Sequence, residues 1–141
     1  MDEASLARYI LETFDDAHQV AAEGVSFFFR GPDRKFPFAT IVTRDNDFDR
    51  ASNLDRPGVF RLNIGIEKAT FLQLFGAPAL RGADPSESPS PFDLAALDTL
   101  MPHPAYGAMY WACVLNPVSS AEQARSLLVE AYAKAAPRSA P

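Results

Sequence analysis

The stretch MPHPAYGAMYWACVLNP, residues 101–117, decides the fold of this chain more than any other part of the sequence. Apolar side chains over residues 110–115 predict a strand, in which alternation puts Trp111, Cys113 and Leu115 on one face. The Asn-Pro pair that follows is typical of the end of a strand. The stretch therefore predicts a turn followed by one well-defined strand.

A last helix is predicted directly after this strand. The sequence SSAEQ, residues 119–123, has the form of a capping box, in which side chains and backbone amides of the first turn bond each other. The helix is expected to run over residues 121–135. We expect Trp111 to be buried between this helix and the sheet, near Tyr132 or Leu128.

Turn and cap signals divide the rest of the chain into short elements. Asp2 can cap a first helix that ends near Asp16, and Gly76 suits the end of a later one. The other predicted elements are strands over residues 25–30, 36–43 and 59–66, and helices over residues 67–75 and 92–100. The resulting order, α-β-β-β-α-(α)-β-α, predicts an α+β fold with an antiparallel sheet and helices packed on one face.

Length and composition indicate a single domain over residues 1–141. The chain has 141 residues, of which 48% are hydrophobic, and a domain of this size buries about two-thirds of its unfolded surface. Residues 77–91 are rich in Pro and Ser and predict a surface insertion. The tail from about residue 136 is expected to fray.

Charge and the lack of targeting signals narrow the class of protein. The net charge is −5, with 13 Lys and Arg against 18 Asp and Glu, so specific binding to DNA is not expected. No apolar run approaches the roughly 20 residues of a membrane span, and the start MDEASLARY lacks the form of a signal peptide. Because the single Cys fits a reducing compartment, we expect a cytoplasmic protein without membrane association.

Three blocks of sequence carry a resemblance to known families. FPFATIVT (36–43), DRPGVFRLNIGI (55–66) and residues 101–117 are similar to a family of small bacterial proteins known as a domain of unknown function. The strand around Trp111, with the pair Ala131-Tyr132 in the last helix, resembles the MmcQ/YjbR-like proteins. That resemblance implies a CyaY-like α/β fold, and it makes DNA binding an alternative function.

Arg61 and Asn63 are the first candidate site residues. In the strand over residues 59–66 they alternate with large apolar side chains, so they are expected on the open face of the sheet. An Arg in mid-strand either forms an ion pair with an Asp or Glu or offers its donors to a ligand carboxylate or phosphate. Phe28, which alternates with its two Phe neighbours, is expected to line a pocket with Arg61.

His103 and Tyr106 are the second pair of candidates, in the turn before the Trp111 strand. Prolines on both sides of His103 stiffen its backbone and fix its orientation. It either caps the end of the preceding helix or serves a site as a group that titrates near neutral pH. We expect Arg61, Asn63, His103, Tyr106 and Phe28 to converge on one concavity.

No metal or cofactor site is predicted, and no catalytic residue is assigned. Residues 45–56 begin like a calcium loop, but Arg50 and Arg56 stand where that loop needs Gly and a Glu ligand. Cys113 lies in an apolar strand and is expected to be a core residue. The chain also lacks a glycine-rich phosphate loop and a nucleophile motif.

The predicted function is a non-enzymatic binding module that holds a small organic molecule or a protein partner on the open face of the sheet. One alternative is a small enzyme that uses His103 as an acid or base. The other is a DNA-binding protein of the MmcQ/YjbR kind, which requires the basic side chains to gather on one face: Arg30, Arg34, Lys35, Arg44 and Arg61. Nothing in the sequence indicates an oligomeric state.

Overall fold

The computed structural model describes residues 2–32, 35–47, 49–76 and 92–136. The predicted insertion over residues 77–91 and the tail beyond residue 136 lie outside this part of the chain. The helices are α1 (Glu3–Thr13), α2 (Lys68–Phe75) and α3 (Ala121–Lys134), and the strands are β1 (Ala17–Ala22), β2 (Val25–Arg30), β3 (Ala39–Val42), β4 (Arg61–Gly65), β5 (Met101–Pro102) and β6 (Trp111–Leu115).

The strands form one antiparallel sheet in the order β1-β2-β3-β4-β6-β5. The predicted α+β fold is therefore confirmed. Asp2 caps α1 as expected, since its carboxylate accepts a 2.8 Å hydrogen bond from the amide of Ser5. Within the described ranges, no helix is both long enough and apolar enough to cross a membrane.

The helices all pack on one face of the sheet. Side chains from α1, α2 and α3 meet alternate residues of the strands in one apolar core, which includes Leu6, Phe28, Leu62, Phe71, Val114 and Leu128. A smaller cluster lies on the opposite face and is made by Val42, Leu54, Met101, Cys113 and Leu115. Beside this cluster, residues of β2, β3, β4 and β6 line an open concavity on the same face.

Two strands were missing from the predicted order. β1 is an edge strand whose residues are half-buried or exposed, so it lacks the apolar alternation that marks the other strands. It forms a hairpin with β2, and Glu23-Gly24 is the turn between Ala22 and Val25. β5 has two residues, too few for any periodic signal.

The helix predicted over residues 92–100 is wrong. The segment is irregular, Asp98 has a φ of 56°, and Leu97 forms a bridge with Leu115 of β6. Phe92 packs against the smaller cluster and Leu100 against the helix-side core. An irregular path reaches both sides of the sheet, whereas a short helix presents one apolar stripe to one side.

The capping box predicted for α3 is also wrong, although the helix itself is confirmed. Ser120 is the N-cap residue, but its side chain makes no cap hydrogen bond. Its hydroxyl and that of Ser119 both donate to the carboxylate of Asp98. The same carboxylate accepts the amides of Val118, Ser119 and Ser120, so a distant residue organises the start of this helix.

Trp111 does not lie between the sheet and α3, contrary to the prediction. It pairs with Gly65 across β4 and β6, while Cys113 pairs with Asn63. Residues directly opposite each other share a face, so Trp111 lies on the same side of the sheet as Asn63. Ala112 and Val114 face the helices instead, and the indole ring is only half-buried.

Candidate functional site

An open groove of about 1160 Å³ runs across the sheet face opposite the helices and extends at one end to the last turn of α3, where Ala131 and Lys134 line it. Its walls include Phe27 of β2, Trp111 of β6 and three strongly exposed side chains, Phe36, Tyr106 and Met109. Monomeric proteins rarely leave large apolar side chains exposed in one contiguous group without a use for them. This groove is therefore the candidate site.

Trp111 forms one wall because the opposite strand carries no side chain beneath it. A Cβ atom at Gly65 would lie 3.0 Å from Cζ2 of the Trp111 ring. That separation is closer than ordinary van der Waals contact, so a side chain at this position would press on the indole, and Gly65 lets the ring lie close to the sheet. The pair turns one end of the groove into a flat aromatic surface.

Polar side chains form the floor of the groove as one continuous network. The Asn63 amide donates to Oγ1 of Thr40 at 2.9 Å and accepts from Nε of Arg61 at 2.9 Å. Nη1 of Arg61 donates to the Ser52 hydroxyl at 2.9 Å. These buried groups hold one another, as buried polar groups must if their desolvation is to be offset.

Arg61 is fully buried, and Asp49 neutralises its charge. Nη1 donates to Oδ1 of Asp49 at 3.0 Å, and Nη2 donates to Oδ2 of the same carboxylate. Burial alone would raise the pKa of Asp49, but the hydrogen bonds and charge of Arg61 outweigh this effect and lower it. Four of the five guanidinium N–H groups therefore bond to protein atoms.

The ring of His103 is held by its own turn. Nδ1 accepts two backbone amides, those of Ala105 and Tyr106, each at 2.9 Å. Of the two alternatives for His103, the cap of a preceding helix is therefore wrong, because the ring caps the turn that follows it. Since Nδ1 is an acceptor, the proton of the neutral ring must be on Nε2.

Nε2 of His103 faces Nη2 of Arg61 at 3.5 Å. Both atoms carry hydrogen, so this contact joins two donors and is not a hydrogen bond. In the described part of the chain, Nε2 has no other hydrogen-bond partner. Leaving a buried donor without an acceptor costs about 1–3 kcal/mol, so this pair is a costly feature of the floor.

His103 is neutral at physiological pH. Burial and the nearby charge of Arg61 lower its pKa to about 3, although Asp49 opposes the shift. A neutral ring whose Nδ1 is already bonded has no free lone pair with which to take a proton. Its chemistry in this groove is that of a hydrogen-bond donor.

The structure brings four of the five predicted site residues to the groove, namely Arg61, Asn63, His103 and Tyr106. Phe28 is the exception, and its predicted position is wrong. It pairs with Ala39, which pairs with Ile64, so it faces the helix-side core. Its neighbour Phe27 lines the groove instead.

The sequence did not point to Asp49 or Ser52 as site residues. Both belong to the loop after β3, and no local pattern marks a loop carboxylate as the partner of a strand residue. Thr40 could have been found, because the same alternation that selects Asn63 selects it in a neighbouring antiparallel strand. Cys113 is buried as predicted, and burial raises the pKa of its thiol to about 12.

Among the described residues, the basic ones that the DNA-binding alternative requires gather only in part. Lys35, Arg44 and Arg61 line the groove, but Arg30 stacks on Tyr132 on the helix side and donates to its carbonyl. Arg34 lies outside the described residues. Within the described ranges, no group of three or more His, Cys, Asp or Glu side chains is placed to hold a metal ion.

Comparison with known proteins gives a family but no activity. The whole chain, residues 1–141, matches the model of a family of unknown function, DUF6194, and the chain belongs to that family. No curated protein and no solved structure matches it. The prediction of a family without an assigned function is confirmed.

Proposed function

We propose that this member of the DUF6194 family is a non-enzymatic binding module whose groove holds a small organic molecule. The observation that carries the proposal is the meeting of exposed apolar side chains with a buried polar floor. Tyr106, Met109 and Trp111 supply the apolar surface, and His103 supplies a donor. Small-molecule sites commonly combine apolar walls with a few fixed polar groups.

Binding is better supported than catalysis by His103. A general base needs a free lone pair, and a general acid needs a pKa near the working pH. Nδ1 already accepts two amides, and the pKa of about 3 leaves no imidazolium to donate a proton at pH 7. The position of His103 instead suits recognition of a ligand.

A small molecule is also better supported than a macromolecule. The donors lie on the floor, which a flat protein surface does not reach, and the net charge of −5 opposes attraction to DNA. A protein partner and a DNA duplex stay as the alternatives. We also retain three expectations from the sequence, namely the MmcQ/YjbR-like relationship, a bacterial origin and a cytoplasmic location.

The test is a screen of aromatic fragments by ligand-observed NMR, repeated on two variants. Met109→Glu puts a charge on the apolar wall, and Val129→Glu makes the same change at an exposed position on α3. We expect fragment hits whose binding weakens at least about tenfold in Met109→Glu, the cost of desolvating a carboxylate, and is unchanged in Val129→Glu. Equal binding to all three proteins, or no hits, would count against the groove.

A further inference from the structure

We propose that His103 and Arg61 form a subsite for a neutral carbonyl oxygen, such as that of an amide or ketone, on the molecule that the groove binds. This subsite rests on the proposed function, because the ligand reaches it through the groove. The observation behind it is the pair of N–H groups, on Nε2 and Nη2, that face each other at 3.5 Å.

The geometry of the pair suits one oxygen atom. A carbonyl oxygen has two lone pairs and can accept from both donors at ordinary hydrogen-bond lengths of about 2.9 Å. His103 is 4% exposed and Arg61 is 0% exposed, yet both line the groove. An oxygen placed there would be shielded from water, which strengthens both hydrogen bonds.

The charge at the floor selects a neutral acceptor over an anion. Asp49 neutralises the guanidinium group through two hydrogen bonds, and the imidazole is uncharged. Arg61 and Asp49 are the charged groups that act on His103. Because they neutralise each other, a carboxylate or phosphate at the subsite would gain no net attraction from them. The ligand chemistry that we infer is an aromatic or apolar body that carries a carbonyl group.

The most direct test uses acetamide as the probe and acetate, at equal ionic strength, as the anionic comparison. The resonance of the His103 Nε2–H is followed by ¹⁵N NMR of the full chain. We expect a saturable shift with acetamide and a much smaller one with acetate. A larger response to acetate would overturn the choice of a neutral ligand, and no response to either compound would overturn the subsite itself.

A substitution can remove the Nε2–H donor of His103 while keeping the hydrogen bonds that hold the turn. His103→Asn keeps an oxygen that can accept the amides of Ala105 and Tyr106, because the Asn Oδ1 occupies about the place of Nδ1, but it removes Nε2–H. We expect it to weaken binding of 2-naphthamide roughly threefold to tenfold, the effect of one hydrogen bond. Binding of 2-methylnaphthalene, which has no acceptor, should be unchanged.

These arms distinguish the two proposals. If both naphthalene compounds bind equally well to the wild type and to His103→Asn, the groove binds small molecules but the subsite is wrong. If neither compound binds while acetamide still shifts Nε2–H, the subsite stands and the proposed use of the aromatic walls fails. An Nδ1–H tautomer in the spectrum would overturn the subsite directly.

Discussion

At the scale of single residues, Arg61 shows most clearly that the position of a side chain can be predicted from the sequence while its role is not. Alternation in β4 places it correctly on the face opposite the helices. Its partner Asp49 turns it from a candidate for binding an anion into a buried ion pair that ties the loop after β3 to the sheet. A guanidinium with this many protein partners positions the floor and is not free to bind an anion.

We predict that Arg61→Met lowers the free energy of unfolding by about 3 kcal/mol, because it leaves the carboxylate of Asp49 without its buried partner. Urea unfolding followed by circular dichroism measures the change. Arg50→Met is the matched control, since Arg50 pairs with Asp47 on the surface of the same loop. It should cost less than about 0.5 kcal/mol, and equal losses in the two variants would refute the structural role.

His103 makes the second prediction, a loss of stability in mild acid. The unfolded chain binds a proton at this residue below the ordinary pKa of 6.5, whereas the folded protein does so only below about pH 3. Between these values the unfolded state binds more protons. Stability therefore falls with decreasing pH by about 1.4 kcal/mol per unit for a group this strongly shifted.

Unfolding curves at pH 7.5 and pH 5.5 measure this effect. The lowered pKa of Asp49 removes stability only at still lower pH, where the carboxylate takes up its proton. His103→Asn should abolish most of the difference between the two pH values, and Val129→Asn, on the exposed face of α3, should retain it. A pH dependence that survives in His103→Asn would contradict a buried neutral imidazole.

At the scale of elements, Asp98 shows how a helix can begin without a local signal. It lies 22 residues before Ser120, the N-cap residue of α3. Its carboxylate nevertheless accepts hydrogen bonds from the amides and hydroxyls at the start of that helix. These hydrogen bonds lower the pKa of Asp98 far below its usual range. The helix start depends on this one side chain.

We predict that Asp98→Ala lowers the melting temperature more than Ser119→Ala or Ser120→Ala does. Each serine substitution removes one hydroxyl hydrogen bond to the Asp98 carboxylate, whereas Asp98→Ala removes all of them. Differential scanning calorimetry measures the order. Asp93→Ala, which removes a carboxylate bonded to the amide of Ala95 in the preceding segment, is the control. If it lowers the melting temperature as much as Asp98→Ala, the assigned cap is wrong.

The strands show which parts of the fold the sequence can predict. Period-two alternation correctly separated Arg61 from Leu62, and it correctly grouped Trp111 with Cys113. It does not say which group faces the helices until the register with a neighbouring strand is known. For this reason Phe28 and Trp111 are each predicted on the wrong side, although alternation correctly separates Phe28 from Phe27.

In the candidate site, only the residues marked by a local sequence pattern could be predicted. Asn63 and Arg61 follow from alternation, and His103 from its place in a stiff turn before β6. Asp49 could not be predicted, because it reaches the floor through a loop whose path depends on tertiary packing of Leu54. The tautomer of His103 could not be predicted either, because it follows from two backbone amides that reach Nδ1 only in the folded turn.

At the scale of the whole molecule, the two faces of the sheet have different roles. One face carries all three helices and most of the apolar core. The other carries a smaller cluster and, beside it, the groove. Because stability comes mainly from the first face, the exposed side chains of the second can change without unfolding the domain, which makes the groove open to mutational test.

Intermolecular NOEs test most directly whether this groove binds a small organic molecule. A fragment hit is added to ¹³C,¹⁵N-labelled protein, and its protons are searched for contacts to assigned side chains. We expect NOEs to the Trp111 indole, the Met109 methyl group and the Tyr106 ring. NOEs that connect the hit to the exposed face of α3 around Val129, and none to these three side chains, would contradict it.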